Sequence, residues 1–302
     1  MELGIVGLGR MGSNMARRLL RAGHRVVGYD LDVDKTREMT PEGVEGVFSL
    51  ADMVSKLTAP RVVWMMLPAG DATERTIEAL IPLLARGDVV IDGGNSNYKD
   101  TLRRGARLRE HGLHFVDVGT SGGIWGLSEG YSLMIGGEEA IVQRLRPIFE
   151  TLAPAADRGW GHVGPMGAGH FVKMVHNGIE YGVMQAYAEG FELLHAKKEF
   201  DLDLHQIAEI WRFGSVVRSW LLDLTAAALA DDQTLSGVKG WVADSGEGRW
   251  TVAEAVDLDV PAPIITLALL MRLVSRQDAS YAAKLLAVMR SKFGGHEVMR
   301  DE

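Results

Sequence analysis

The chain has 302 residues, 47% hydrophobic and 24% charged, the proportions of a globular protein long enough for two domains. Having no cysteine, it can form no disulfide, thiolate metal site or cysteine nucleophile, and a net charge of −8 argues against non-specific binding to nucleic acid. No His/Asp/Glu cluster has metal-ligand spacing, no uncharged apolar stretch approaches the roughly 20 residues that span a bilayer, and the start lacks an export signal, so a cytoplasmic location is expected.

Short apolar runs alternate with helical stretches through the first half, with strands predicted near 2–7, 25–29, 61–67, 88–92, 114–118 and 131–135. That alternation predicts a largely parallel α/β sheet. The first strand runs into Gly7-Leu8-Gly9-Arg10-Met11-Gly12, which opens a helix reaching about Ala22. Glycines in this setting give a tight turn, let a pyrophosphate approach the backbone, and pack the helix closely on its strand, which predicts a Rossmann-type doubly wound nucleotide-binding fold. The second strand ends in Asp30, 18 residues beyond Gly12, where a carboxylate accepts hydrogen bonds from ribose hydroxyls. Asp32 and Asp34 add negative charge and positions 31 to 34 hold no arginine, so NAD is expected rather than NADP.

Glycine-rich turns follow at Gly93-Gly94, Gly122-Gly123 and Gly136-Gly137. They mark strand ends, where open α/β sheets bind ligands. After Gly164-Pro165-Met166-Gly167-Ala168-Gly169 the pattern is helical throughout, with helices near 203–212, 216–230, 251–256, 261–275 and 278–290. The expected division is 1–165, a nucleotide-binding domain, and 166–302, an all-α domain. Its first helix, from His170 to about His195, is apolar on nearly every face (Phe171, Val172, Met174, Val175, Ile179, Val183, Met184), so it is expected to be a buried central helix.

On that helix Lys173, His176, Asn177, Glu180 and Tyr181 recur at i, i+3, i+4, i+7 and i+8, one stripe at 3.6 residues per turn. A solvated Lys–Glu stripe is the bland alternative. A lysine withdrawn from water loses proton affinity and can take a hydroxyl proton while hydride leaves the same carbon; a buried carboxyl can return a proton later.

These residues carry a resemblance that covers nearly the whole chain. Ile5 to Met15, Asp92-Gly93-Gly94-Asn95-Ser96, Ser121-Gly122-Gly123 and the run from Lys173 to Tyr181 resemble the 6-phosphogluconate dehydrogenases of the wider β-hydroxyacid dehydrogenase family. The last run is the most diagnostic, because the wider family keeps the Lys and Asn without the His and the Glu-Tyr pair. The resemblance implies oxidative decarboxylation of 6-phosphogluconate to ribulose 5-phosphate, with Lys173 as base and Glu180 as acid. It implies that Asn95 sits between nicotinamide and substrate, that Ser121, Gly122 and Gly123 hold the carboxylate, and that His176, Asn177 and Tyr181 bind substrate. For the phosphate it implies Arg272, with Arg290 and His296 reaching a neighbour's site from the tail, hence a homodimer or homotetramer. Two departures stand out: Ser245 replaces a lysine of the long enzymes, so one phosphate contact is missing or supplied differently, and the second helical repeat is absent. The missing repeat resembles the family's short branch, for which NAD is the usual cofactor. The competing substrate is a small β-hydroxyacid such as 3-hydroxyisobutyrate, oxidised without decarboxylation.

Overall fold

The computed structural model describes residues 1–300. Eight strands, β1 (Glu2–Val6), β2 (Arg25–Tyr29), β3 (Glu45–Gly46), β4 (Val62–Met65), β5 (Val89–Asp92), β6 (His114–Ser121), β7 (Ser132–Gly136) and β8 (Trp160–Gly164), form one sheet in the order 3-2-1-4-5-6-7-8. Every pair is parallel except β6 with β7. Helices α1 (Arg10–Arg21), α2 (Val33–Met39), α3 (Leu50–Lys56), α4 (Asp71–Leu80), α5 (Tyr98–Glu110), α6 (Gly126–Glu129) and α7 (Glu139–Leu152) connect the strands. They cover both faces, which is why β4 and β5 are apolar and buried at almost every position. One face packs Leu3, Ile5, Trp64 and Phe149; the other packs Val6, Val63, Met65 and Leu80. The strand order reverses between β1 and β4, and such a switch point opens a crevice at the carboxyl ends of the strands.

Helix α8 (Ala168–Ala196) is 29 residues long, followed by α9 (Leu204–Arg212), α10 (Trp220–Asp231), α11 (Glu247–Asp257), α12 (Pro263–Val274) and α13 (Tyr281–Gly294). The contacts divide the chain into two units, 1–177 and 178 onward, the division falling inside α8. In the second unit Phe191, Leu204, Ala208, Leu222, Ala226 and Leu229 form a small core. Among the described residues no helix is long and apolar enough to cross a membrane.

Three features depart from the sequence expectation. β3 and β8 are additional strands. β3 has two residues, and β8 carries Gly161, His162 and Gly164 at the sheet edge, so neither has an apolar pattern to betray it. Strand β6 runs on to Ser121 because β7 pairs with it, Thr120 opposite Leu133 and Ser121 opposite Ser132. Helix α8 is not buried along its length: Met174 is, but Ile179 is 56% exposed, and Val183 and Met184 are also exposed. The apolar faces of this helix exceed what one chain covers.

Candidate active site

At the first strand end, Gly7 has φ of +95°, a backbone state that favours glycine, and a Cβ on Gly12 would stand 1.9 Å from the Gly7 carbonyl oxygen. Gly12 is forced by the approach of α1 to its strand, and Gly7 by its backbone state and by the Met66 carbonyl oxygen, 2.4 Å from where its Cβ would stand. Gly9 differs: a Cβ there would meet nothing within 4 Å. It stands at the start of α1, whose first turn has no acidic residue and no side-chain cap. Leu8, Arg10 and Met11 complete this turn. Its backbone amides and the positive helix end are the two features a pyrophosphate needs.

Asp30 follows β2 and bends back over the turn. Its Oδ2 accepts the Leu8 amide at 2.7 Å and its Oδ1 accepts the Asp32 amide at 2.8 Å. The glycine turn and the carboxylate are therefore one hydrogen-bonded assembly, which fits a dinucleotide spanning pyrophosphate and ribose. Lys35, one residue beyond the arginine-free positions 31 to 34, lies 3.9 Å from both Asp30 Oδ1 and Asp32 Oδ2.

The other strand ends gather the polar residues of α8. Lys173 is 6% exposed and Asn177 7%. Lys173 Nζ lies 3.3 Å from His176 Nδ1, His176 Nδ1 lies 3.2 Å from Asn177 Oδ1, and His176 Nε2 lies 3.5 Å from Ser121 Oγ. Nδ1 carries either a proton or a lone pair, so it accepts from a lysine ammonium or donates to the amide oxygen, not both at once. Gly122 and Gly123 continue from Ser121 with φ of +131° and +51°, turning the chain beyond the strand.

What seats Lys173 is an aspartate that sequence reasoning missed. Asp117 on β6 is 0% exposed, and its two oxygens accept the amides of Gly167 at 2.7 Å and His170 at 2.8 Å. It caps the start of α8, satisfying amides that would otherwise be orphaned in the interior. A charged residue between Val116 and Val118 in a buried strand is the signal that could have found it.

Glu180 follows Lys173 by seven residues on the same unbroken helix, two turns or about 10 Å along its axis. In the second unit, Tyr181 packs on α11: a Cβ on Gly248 would stand 2.5 Å from the Tyr181 ring. The Arg272 guanidinium lies 3.4 Å from the centre of that ring and donates to the Ala243 carbonyl at 3.0 Å. Ser245 donates to Glu247 at 2.5 Å. Arg290 lies exposed on α13, and His296 follows the helix end at Gly295. Asn95 is exposed on the turn after β5. Two groups are thus assembled, Ser121–Lys173–His176–Asn177 in the first unit and Tyr181–Arg272 in the second. A cavity of about 420 Å³, lined in part by Leu102, Phe115 and Met166, contains none of them.

Known proteins share both halves of this arrangement. Residues 2–167 match the profile of the NAD binding domain of 6-phosphogluconate dehydrogenase, and residues 169–300 match that enzyme's C-terminal domain. The chain is 44% identical over 303 residues to a NAD(+)-dependent, decarboxylating 6-phosphogluconate dehydrogenase of Haloferax volcanii, covering 100% of both. It is 42% identical to YqeC of Bacillus subtilis, covering 98% of each. Among solved structures, the 6-phosphogluconate dehydrogenase of Plasmodium falciparum superposes with a TM-score of 0.84 at 28% identity, covering 100% of this chain and 66% of that one.

Proposed function

The chain belongs to the 6-phosphogluconate dehydrogenase family, and from that premise we propose that it oxidises and decarboxylates 6-phosphogluconate to ribulose 5-phosphate with NAD, Lys173 and Glu180 moving the protons. The observation that carries the assignment of roles is a buried lysine in hydrogen-bond reach of His176, on the same helix as a carboxylate two turns on.

The turn Gly7 to Gly12 and the carboxylate of Asp30 hold the dinucleotide, which when bound supplies the hydride acceptor. Lys173 takes the proton of the substrate C3 hydroxyl as the C3 hydrogen leaves with its electron pair, giving a β-keto acid. The C1–C2 bond then breaks; CO2 departs, and its bonding electrons pass through C2 to the C3 oxygen, which Lys173 reprotonates. Glu180 delivers a proton to the carbon that lost CO2 as Lys173 takes the enol proton back from the C3 oxygen, restoring the ketone of ribulose 5-phosphate. Ser121 and the amides of Gly122 and Gly123 hold the carboxylate, a role suited to a hydroxyl beside exposed backbone donors. His176, Asn177 and Tyr181 orient the sugar chain, and Asn95 stands between substrate and nicotinamide. Arg272 meets the phosphate, its guanidinium already stacked on Tyr181.

On the same reading, residues 1–165 are the cofactor domain and 166–302 the substrate and oligomerisation domain. The occupant of the exposed apolar faces is a second copy of the chain. Helix α12 exposes Ile264, Leu267, Leu270, Met271 and Val274 and buries only Ala268 and Leu269, a surface that a monomer rarely leaves in water. Arg290 and His296 then complete a neighbour's phosphate site in a homodimer or homotetramer. The phosphorylated substrate, too charged to cross a bilayer unaided, puts the reaction in the cytoplasm.

The test is a steady-state assay with NAD and 6-phosphogluconate that follows reduced cofactor and CO2 together. Equal yields of both are expected. Turnover confined to unphosphorylated β-hydroxyacids, without CO2, would overturn the assignment.

A further inference from the structure

Arg104 on α5 is 1% exposed, an expensive place for a guanidinium unless its donors are met. Its Nε lies 2.9 Å from Glu74 Oε2 on α4, and its Nη2 donates to the Gly70 carbonyl at 3.2 Å. In the other direction, Nη1 lies 3.2 Å from Ser96 Oγ and 3.8 Å from Asp92 Oδ2. Asp92, 0% exposed, accepts the Ser96 hydroxyl at 2.7 Å and the Gly94 amide at 3.1 Å. One side chain therefore ties the turn after β4 to the turn after β5.

The turn after β5 is held from its other side as well. A Cβ on Gly94 would stand 2.5 Å from the Leu67 carbonyl oxygen, and one on Gly93 would stand 2.4 Å from Trp64 Nε1. Gly94 and Ser96 are buried while Asn95 between them is exposed, so the turn presents one side chain and fixes both its neighbours. Glu74 at the far end is held down at about 2, first by its hydrogen bond to Arg103 and then by Arg104, against the opposing effect of burial. Glu74 thus keeps its charge beside Arg104 around neutral pH.

We propose that Arg104 is a positioning residue for hydride transfer, fixing the turn that carries Asn95 without touching substrate or cofactor. The proposal rests on the dehydrogenase reading, in which Asn95 stands between substrate and nicotinamide. The planar fork matters: three acceptors, Glu74 Oε2, the Gly70 carbonyl and Ser96 Oγ, are met by one rigid group with the Asp92 carboxylate close by, which a lysine ammonium cannot reproduce.

The experiment compares wild type with Arg104→Lys, Arg104→Met and Ser96→Ala, each assayed below its own Tm, using substrate with hydrogen or deuterium at the oxidised carbon. Displacing the turn lowers kcat by about ten- to a hundredfold in Arg104→Met and less in the other two, since small misplacements of reacting groups are costly. The deuterium isotope effect rises as hydride transfer becomes slower than product release, and the KM for NAD stays within about twofold because Gly7 to Gly12 and Asp30 are untouched. Should Arg104→Met fail to fold, Arg104→Lys and Ser96→Ala carry the test. Wild-type kcat and isotope effect in the folded variants would overturn the proposal, as would a loss of activity that tracks only the folded fraction with an unchanged isotope effect. Failure of the dehydrogenase reading shows separately, as a wild-type enzyme that does not oxidise 6-phosphogluconate; the variants are then compared on whichever hydroxyacid it does oxidise.

Discussion

Gly119 and Lys173 are in direct contact across β6 and α8: a Cβ at 119 would stand 2.4 Å from the Lys173 Cβ and 2.6 Å from the Gly169 carbonyl oxygen. The strand can approach the helix only where it has no side chain. Gly119→Ala must push the start of α8 away, with an overpacking cost of about 1–3 kcal/mol. The expected result is a lower Tm and a kcat reduced about tenfold or more, with NAD binding retained. Thermal melts, nucleotide titration and steady-state kinetics on one preparation check all three.

Lys173 and Glu180 should fail at different steps. Lys173→Met is expected to lower kcat about 10²- to 10⁴-fold and to abolish the first-turnover burst of reduced cofactor. Glu180→Gln should slow steady-state turnover while that burst persists, because its proton is needed only after hydride has left. Stopped-flow absorbance separates the two; loss of the burst in both variants would show that the division of labour is wrong.

Cofactor choice should respond to Asp30. In Asp30→Ser the repulsion of a 2′-phosphate falls and the Lys35 amine, 3.9 Å from the Asp30 carboxylate, is released toward it. One charge-assisted hydrogen bond to the 2′-phosphate is enough to move the NADP to NAD ratio of kcat/KM by about 10- to 100-fold toward NADP. The Leu8 amide also loses its acceptor, so the variant should bind NAD less well. Lys35→Ala on the Asp30→Ser background should remove most of the improvement with NADP.

Acid stability should depend on Glu74. Its carboxyl is lowered in the folded protein from an ordinary 4.5 to about 2, so the stabilisation is present above 4.5 and disappears as the pH falls through 2. With its side chain 22% exposed, the expected effect of Glu74→Gln is small, roughly 1 kcal/mol or about 3 °C in Tm at neutral pH. The gap between wild type and variant should close as pH approaches about 2, which melts across an acid pH series would show.

The apolar face of α12 predicts assembly. Leu267, 57% exposed, is expected to become buried between two copies. Leu267→Glu should weaken or abolish the dimer, and turnover should fall with it if a neighbour's Arg290 and His296 complete the site. Light scattering and activity measured over the same concentration series check the link.

The nucleotide turn is legible in the sequence because its requirements are local: Gly7 needs its φ, Gly12 needs to lack a Cβ, and Asp30 lies at a fixed distance along one βαβ unit. The stripe from Lys173 to Tyr181 is legible because helical periodicity alone puts it on one face. Asp117 and Arg104 are not, since their partners lie 50 and 30 residues away in the chain and only the folded sheet brings them together. Strand β8 has no pattern of its own and exists through its pairing with β7. The exposure of Ile179 and Val183 escapes for a related reason: an apolar helix reads the same whether its own chain or another covers it.

Because α8 is continuous from Lys173 through Glu180, the spacing of the two groups is written in residue count and protected from any looseness elsewhere. A change in length between them breaks that spacing whatever residue is added or lost. Inserting a single residue at 178 would rotate Glu180 by about 100° around the helix axis relative to Lys173, turning the carboxylate off the shared stripe while leaving both side chains intact. A one-residue change in length within 173–180 is therefore expected to be as damaging as the loss of either side chain.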